Sequence, residues 1–183
     1  MKELDQLIEA CKAGKREAQS DLYRMFAPKL FVVSLRYSRD ETEAEDTLHE
    51  AFINIYSKIN QYSGKGSFEG WIKKIVVNIA LEKYRNRYRM QTVEDITSYD
   101  TRTVNDDAFD AMNEAQLLEL IQQLPPRYKM VFNMYAIDGY SHKEIAGIMG
   151  IDEGTSKSNL SRARKILQNK IFEIGYIDQD YAK

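Results

Sequence analysis

The stretch from residue 141 to residue 170 constrains the fold more than any other part of this chain. Glycine at position 150 can adopt the positive φ that a tight turn between two helices requires. We predict that the second helix opens at Gly154 and Thr155, with Thr155 as its N-cap. On both sides of the turn, apolar residues recur at the spacing of a helix with one buried face; they are Ile145, Ala146 and Met149 before it and Leu160, Ala163 and Leu167 after it.

The outer face of the predicted second helix mixes long cations with small hydroxyl side chains and contains no acidic residue. Small residues allow close approach to a DNA major groove, while Arg, Lys and hydroxyl groups bond to base edges and phosphates. The pattern therefore predicts a DNA-binding helix-turn-helix. The alternative is a solvated basic face on an ordinary helical hairpin. At about 100° per residue, this face carries Gly154, Lys157, Ser158, Ser161, Arg162 and Lys165.

The length, composition and net charge of the chain limit the classes of protein to which it can belong. A chain of 183 residues with 43% hydrophobic residues suits one large domain or two small ones. A net charge of −2 argues against a uniformly basic nucleic-acid binder but leaves room for local basic faces. Cys11 is the only cysteine, so no intrachain disulfide can form and a reducing compartment fits. His49 and His142 lack the spacing of metal ligands, and we expect neither a metal nor another cofactor.

The N-terminal segment is charged and amphipathic, without an apolar stretch of signal-peptide length. The longest apolar run, around residues 75–81, is interrupted by Asn78 and is too short to cross a bilayer. We therefore expect a cytoplasmic protein with no membrane insertion.

Helical periodicity extends through almost the whole chain and predicts an all-α fold. Apolar stripes predict helices that end near Gly14, that span residues 18–37 and 43–59, and that open at Trp71. Two more are predicted over residues 108–124 and 126–137. We expect Met25 and Tyr135 to point inward with their stripes, and Pro28 to kink or restart the second helix.

Charge is divided sharply between segments of the chain. Residues 40–50 contain six acidic residues and no Lys or Arg, whereas residues 73–89 contain six basic residues and one acidic residue. The acidic segment should face away from DNA, because phosphate would repel it. Simple solvation, together with favourable acids at a helix N-terminus, accounts for part of this segment as well.

A second acidic region follows the basic helix. Residues 94–119 contain eight acidic residues and one basic residue, and residues 93–107 show no clear period, which is typical of a linker. We predict two small helical domains, residues 1–92 and 111–183, joined by a flexible acidic linker over residues 93–110.

A glycine-rich, aromatic loop over residues 62–71 precedes the basic helix. Its residue order differs from that of nucleotide-binding loops, and no strand precedes it. Aromatic side chains next to a basic helix suit stacking on unpaired bases. The alternative is that Phe68 and Trp71 cap a helical core.

Three segments, in this order, resemble bacterial sigma factors of the sigma-70 family, in the extracytoplasmic-function group. AEDTLHEAFINIY (residues 44–56) resembles the helix that binds the polymerase clamp. GSFEGWIKKIVVNIALEKYR (residues 66–85) resembles the promoter-melting loop and the helix that reads the −10 element. Residues 124–167 resemble the domain that reads the −35 element. The resemblance covers nearly the whole chain apart from the linker and the last dozen residues.

The resemblance implies a non-enzymatic factor that binds core RNA polymerase at its clamp and flap regions, recognises promoter DNA and melts the −10 element. It also implies an anti-sigma factor as a partner. The implied polymerase-binding residues are Asp46, Leu48, His49, Glu50 and Phe52. Those implied for −10 recognition and melting are Tyr62, Lys65, Phe68, Trp71, Lys74, Asn78, Lys83 and Arg85. Those implied for −35 recognition are Thr155, Lys157, Ser158, Ser161, Arg162 and Lys165.

Three positions depart from the family pattern. His49 stands at the usual Gln of the clamp helix, and Glu82 replaces the more frequent Asp of the −10 helix. Ser156 replaces a β-branched apolar residue, which predicts a less firmly anchored recognition helix.

Other functions remain open at this level. A transcription activator with a similar helix-turn-helix would bind duplex DNA alone and would leave residues 40–89 without a role. A helical adaptor that binds only proteins would be indifferent to charge reversal at Lys157 and Arg162. A nucleotide hydrolase would require a loop that binds nucleotides.

Overall fold

The computed structural model describes residues 2–88 and 113–174, and the chain divides into two compact units, residues 1–90 and 91–183. Every regular element among the described residues is helical, which confirms the predicted all-α class. The predicted linker over residues 93–110 lies outside the described residues. The first unit consists of α1 (Lys2–Lys12), α2 (Arg16–Tyr37), α3 (Glu41–Lys58) with a short 3-10 turn (Ile59–Gln61), and α4 (Phe68–Tyr88).

Helices α2, α3 and α4 pack against one another, and α1 covers one side of α2. Their apolar stripes meet in a core of fully buried side chains, among them Leu30 of α2, Ile55 of α3 and Val76 of α4. Burying one such side chain stabilises the fold by about 1.5–3 kcal/mol, so this core holds the three helices in fixed relation.

One prediction about α2 was wrong. Met25 is 50% exposed, because it lies outside the stripe formed by its buried neighbours Leu22 and Phe26. The helix continues through Pro28 from Arg16 to Tyr37, so of the two predicted effects of this proline the restart does not occur.

Short polar side chains set where the helices of the first unit begin. Asp40 caps α3, and its carboxylate accepts a hydrogen bond from the backbone N–H of Glu43 at 2.8 Å. The hydroxyl of Ser67 accepts one from the backbone N–H of Gly70 at 3.0 Å. The fourth helix therefore starts at Phe68, three residues before the predicted start at Trp71.

The second unit consists of α5 (Glu114–Gln122), α6 (Pro126–Phe132) with a π-helical extension (Asn133–Ile137), α7 (His142–Met149) and α8 (Glu153–Glu173). Helix α8 packs mainly on α6 and α7, around the fully buried side chains of Met134, Ile145 and Leu167. Tyr135, predicted to point inward, is 37% exposed and lies beside the buried stripe.

Helix α5 begins at Glu114 with a reciprocal capping box between Asn113 and Gln116. The predicted start of this helix at residue 108 lies outside the described residues. The break at Pro125 and the restart at Pro126 follow the prediction, with proline in the first turn of α6.

The helix-turn-helix forms where it was predicted, between α7 and α8. Ser141 and Glu144 make a capping box at the start of α7, and Gly150 ends this helix with φ 67° and ψ 36°. The predicted cap of α8 was wrong. Asp152 caps that helix, and its carboxylate accepts hydrogen bonds from both the backbone N–H (2.7 Å) and the hydroxyl (2.6 Å) of Thr155.

None of the described helices combines the length and the apolar character needed to span a membrane.

The turn at Gly150 yields a stability prediction with a control in the same helix. Gly150→Ala should destabilise the second unit by about 1–2 kcal/mol, because alanine is strained at positive φ. Gly147→Ala should instead stabilise it by up to about 1 kcal/mol. An added Cβ has open space at both positions, so backbone conformation alone separates them. Denaturant unfolding followed by circular dichroism measures both changes, and equal effects of the two substitutions would contradict the prediction.

Candidate nucleic-acid and protein interfaces

Helix α3 presents a mixed acidic and apolar face to solvent. Asp46, His49 and Glu50 are exposed and lie within one helical turn of one another. Ile53, one turn further along the same face, is 69% exposed. We call these four residues the α3 face. Singly exposed apolar residues are common on protein surfaces, and this one places apolar area beside the carboxylates of the α3 face.

The structure buries two of the predicted polymerase-binding residues. Leu48 and Phe52 are only 6% and 3% exposed, because they lie on the opposite side of α3 from the α3 face. The ring of Phe52 packs against Tyr23 (ring centroids 4.5 Å apart) and Tyr56 (5.8 Å). These side chains support the helix from within and have almost no surface to offer a partner.

Ile53 was missed by the sequence reasoning, although a signal was present. The buried stripe of α3 contains Ala44, Leu48, Ala51 and Ile55, and Ile53 is out of phase with it. An apolar residue at the phase of Asp46 and Glu50 indicates exposure in an amphipathic helix.

Ion pairs join α3 to α4, so part of the acidic segment lies against part of the basic segment that the sequence analysis treated as a separate surface. Lys83 Nζ lies 3.1 Å from Glu50 Oε2 and donates a hydrogen bond to Thr47 Oγ1 at 3.2 Å. Near the ends of the helices, Arg87 pairs with Glu43. Lys83 was predicted to contact the −10 DNA. It is half-buried in this structure and already bound to α3, because helical periodicity turns positions 83 and 87 towards that helix.

Glu43 is held at this junction by hydrogen bonds from Arg39 and Arg87. Burial alone would raise its pKa, but hydrogen bonds from the backbone N–H of Arg39 and from Arg87, with the charge of Arg87, lower the pKa overall. The carboxylate is therefore ionised across the physiological range and fastens the start of α3 to the end of α4.

A second face of α4 carries most of the remaining residues predicted to contact the −10 element. Trp71, Lys74, Asn78 and Arg85 recur at helical spacing; Trp71 is half-buried and the other three are exposed. We call these four residues the α4 stripe. Cations, an amide and an indole on one exposed surface provide phosphate contacts, base hydrogen bonds and a stacking platform.

The aromatic side chains of the loop over residues 62–71 pack against the helical core. Phe68 is 3% exposed and makes edge contacts with Phe26 (ring centroids 5.7 Å) and Tyr62 (5.1 Å). Phe68 was predicted to contact DNA, but in this structure its ring packs into the core, which favours the alternative that it caps the core. Trp71 packs against Tyr62 (5.6 Å) and Phe68 (5.7 Å) and remains partly accessible.

The tip of this loop presents Lys65. Gly64 and Gly66, on either side of it, have φ 76° and 81°, which only glycine adopts without strain. The hydroxyl of Tyr62 donates a hydrogen bond to the carbonyl of Gly66 at 2.9 Å and closes the loop. The exposed Lys65 is thereby held on a short, defined turn.

Helix α8 exposes most of the residues predicted for −35 recognition. Lys157, Ser158, Ser161 and Arg162 are exposed, and Lys165 is half-exposed. Lys157 pairs with Glu153 at 2.8 Å, an exposed ion pair that contributes little stability. The hydroxyl of Thr155 donates to Asp152, so this threonine serves the start of the helix.

Ser156 is the position at which the departure from the family pattern predicts a less firmly anchored recognition helix. This side chain is fully buried, and its Oγ lies 2.9 Å from Nδ1 of His142.

In the part of the chain that the structure describes, no group of His, Cys, Asp or Glu side chains is arranged to hold a metal ion.

Two family models match the chain. "Sigma-70 region 2" matches residues 22–90, which include the α3 face and the α4 stripe, and "Sigma-70, region 4" matches residues 114–167, which include the helix-turn-helix. The chain belongs to the sigma-70 family. The family predicted from the sequence is thereby confirmed, and the two family regions occur in the predicted order.

Several curated relatives are named as extracytoplasmic-function (ECF) sigma factors. The ECF RNA polymerase sigma factor SigE of Mycolicibacterium smegmatis is 29% identical, in a match that covers 81% of this chain and 60% of that protein. The ECF RNA polymerase sigma factor SigW of Bacillus subtilis is 28% identical, with 91% of this chain and 96% of that protein covered.

A solved sigma factor shares the fold. RpoE from Bartonella quintana, in complex with the anti-sigma factor NepR, aligns with a TM-score of 0.50 and 19% identity, covering 85% of this chain and 97% of that one. Sigma factors as a family act in transcription initiation without catalysing a reaction.

The junction between α3 and α4 yields a prediction of pH dependence. Because the pKa of Glu43 is lowered in the folded state, its contribution to stability is complete above the unfolded-state value of about 4.3. The contribution is lost as the pH falls through the lowered folded-state value. Glu43→Gln should therefore reduce the free energy of unfolding at pH 7, and the difference from wild type should shrink below about pH 4.

Glu45→Gln is the matched control, because Glu45 is exposed on the same helix and forms no ion pair among the described residues. Fluorescence of Trp71, the only tryptophan in the chain, reports unfolding of the first unit. Equal stability of the Glu43→Gln variant and wild type at pH 7 would contradict the assignment.

Proposed function

We propose that this chain binds core RNA polymerase, directs it to promoters and melts the −10 element to start transcription. The observation that supports this best is the match of the sigma-70 region 2 and region 4 models, in family order, to the two units of the chain. Each unit also presents a surface with the chemistry that its part of the task requires.

The α3 face is the proposed contact with core polymerase. Asp46 and Glu50 supply negative charge, and Ile53 supplies apolar area between them and the end of the helix. The complementary partner surface is basic with an apolar recess, and such charge complementarity favours both encounter and register. This assignment retains Asp46, His49 and Glu50 from the sequence prediction and replaces Leu48 and Phe52 by Ile53.

The α4 stripe and the loop tip at Lys65 are the proposed −10 surface. Melting requires unstacking, which costs a few kcal/mol for each extruded base. Stacking of one base on an aromatic ring returns about 1–3 kcal/mol. Trp71 is supported from behind by Tyr62 and Phe68, so its open side is a rigid platform beside Asn78 and Lys74.

The outer face of α8 is the proposed −35 reader. Lys157, Ser158, Ser161 and Arg162 are exposed on one helix whose N-terminal end follows the tight turn. In helix-turn-helix proteins this helix lies in the major groove and its N-terminal residues contact base edges. Each of the two units then serves one of the two promoter elements.

We further propose the domain boundaries given above, with residues 1–92 and 111–183 as the functional units and residues 93–110 as the connecting segment. A cytoplasmic location and a non-enzymatic role follow from the same function, since polymerase carries out the chemistry. An anti-sigma factor is proposed as a regulator on the family resemblance.

In vitro transcription tests the proposed function. Core RNA polymerase should produce new transcripts from a pool of genomic fragments when this chain is added, and their templates should share two spaced upstream elements. An activator would instead bind duplex DNA alone and yield no polymerase-dependent transcripts from these elements. Absence of added transcripts with several core polymerases would count against the proposal.

A pair of variants tests the α3 face. Ile53→Asp should weaken binding to core polymerase about tenfold or more, because it places a charge at the centre of the proposed apolar contact. Met25→Asp makes a similar change at another exposed apolar position, on α2, and should bind nearly as wild type. Co-purification with core polymerase measures both, with circular dichroism to verify folding. Similar losses in both variants, or none in Ile53→Asp, would contradict the assignment.

A further inference from the structure

The recognition helix is anchored differently along its length. From Leu160 to Ile171 its buried positions are apolar, but its first two buried positions are Ser156 and Asn159. In these first turns the side chain of Ser156 makes a polar contact with the preceding helix, whereas the amide nitrogen of Asn159 is buried without a hydrogen-bond partner among the described residues. These turns also carry Lys157 and Ser158, the residues proposed to reach the DNA first.

Ser156 is bonded across the turn to the preceding helix. Its side chain has no exposed surface, and its Oγ lies 2.9 Å from Nδ1 of His142, which is the first residue of α7. Either tautomer of the imidazole allows the bond, since a hydroxyl donates to a bare nitrogen or accepts from a protonated one. The contact thus links the starts of both helices of the helix-turn-helix.

The imidazole of His142 is itself held from the other side. The ring of Tyr135 stacks on it, with centroids 4.4 Å apart and an angle of 19° between the planes. Tyr135 lies in the π-helical extension of α6, so three helical elements meet at this one ring. The stack also gives a role to a tyrosine that was predicted to be buried and is 37% exposed.

We propose that Ser156 and His142 are positioning residues that set the rotation and depth of the recognition helix on the −35 element. A hydrogen bond weakens steeply when donor and acceptor move out of line, whereas an apolar contact tolerates sliding. A buried hydroxyl without its partner is unfavourable, so α8 is held where Oγ meets Nδ1. This inference rests on the proposed function and adds that discrimination between −35 elements requires the Ser156–His142 bond.

The consequence concerns selectivity more than overall affinity. Phosphate contacts from flexible lysines adapt to a small rotation of the helix, but hydrogen bonds to base edges need fixed geometry. Loss of the Ser156–His142 bond should therefore reduce discrimination between correct and altered −35 elements more than it reduces binding to DNA in general.

The test uses holoenzyme assembled from the full chain and core polymerase. Dissociation constants are measured for a promoter found by the transcription experiment and for the same DNA with its −35 element replaced. Ser156→Ala should lower the ratio of the two constants by roughly three- to tenfold, which is part of the discrimination that one base contact provides. Ser156→Thr keeps the hydroxyl and should retain the ratio.

Two further variants separate positioning from stability. His142→Phe keeps a ring to stack on Tyr135 but removes Nδ1, and it should reproduce the loss seen with Ser156→Ala. The double variant should lose no more than either single one, because both break the same bond. Ile171→Val removes a methyl group from the buried far end of α8; it should lower the melting temperature without changing the ratio.

The outcomes are distinct. Unchanged discrimination in both Ser156→Ala and His142→Phe, with wild-type holoenzyme working normally, would overturn this inference alone. A loss that Ile171→Val reproduces at matched melting temperature would also overturn it, because stability would then suffice as the cause. Wild-type protein that directs no promoter-specific binding would overturn the proposed function and this inference with it.

Discussion

Apolar packing among α2, α3 and α4 determines what the first unit can present to other molecules. Once Leu30, Ile55 and Val76 are buried together, the rotation of each helix about its own axis is fixed. The α3 face must then point outward, with Ile53 in solvent, and α4 is divided between the core, a side that meets α3 and the α4 stripe. Each helix buries its apolar residues in only one rotation about its axis, so packing of the core determines which side chains of α3 and α4 face outward. The proposed surfaces for two different partners thus follow from one core.

The same packing brings the acidic and basic segments of the sequence together. Their charges suggest two independent surfaces, one for protein and one for nucleic acid, yet Lys83 lies against Glu50 and Arg87 against Glu43. Such pairs cost desolvation as well as gaining attraction, so the stability that they add is modest, and they also fix the relative position of the two helices. On α4, Lys74 and Arg85 of the α4 stripe lie on a different side of the helix from Lys83 and Arg87.

Much of the fold could be predicted from the sequence because it depends on local pattern. Periodicity predicted the helices, and Gly150 predicted the turn of the helix-turn-helix, because glycine adopts positive φ without steric strain. The residues at which helices begin were harder to predict. Asp152 and Thr155 can both cap a helix, and only the structure shows that the carboxylate of Asp152 accepts hydrogen bonds from Thr155. Periodicity already places Leu48 and Phe52, two site residues carried over from the family resemblance, inside the fold. The pairing of Lys83 with Glu50 could not be predicted in this way, because its partner lies on another helix.

Ser156 shows why a departure from a family pattern is difficult to interpret from sequence alone. A serine in place of a buried apolar residue predicts a weaker anchor if the surroundings are unchanged. Here the surroundings include His142, 14 residues earlier in the chain, and a ring stacked behind it. A buried hydroxyl with a positioned partner specifies one arrangement more narrowly than a methyl group does, because the bond has a direction as well as a distance. A polar pair of this kind favours one orientation of α8 over nearby alternatives, and reading bases in a groove depends on that property.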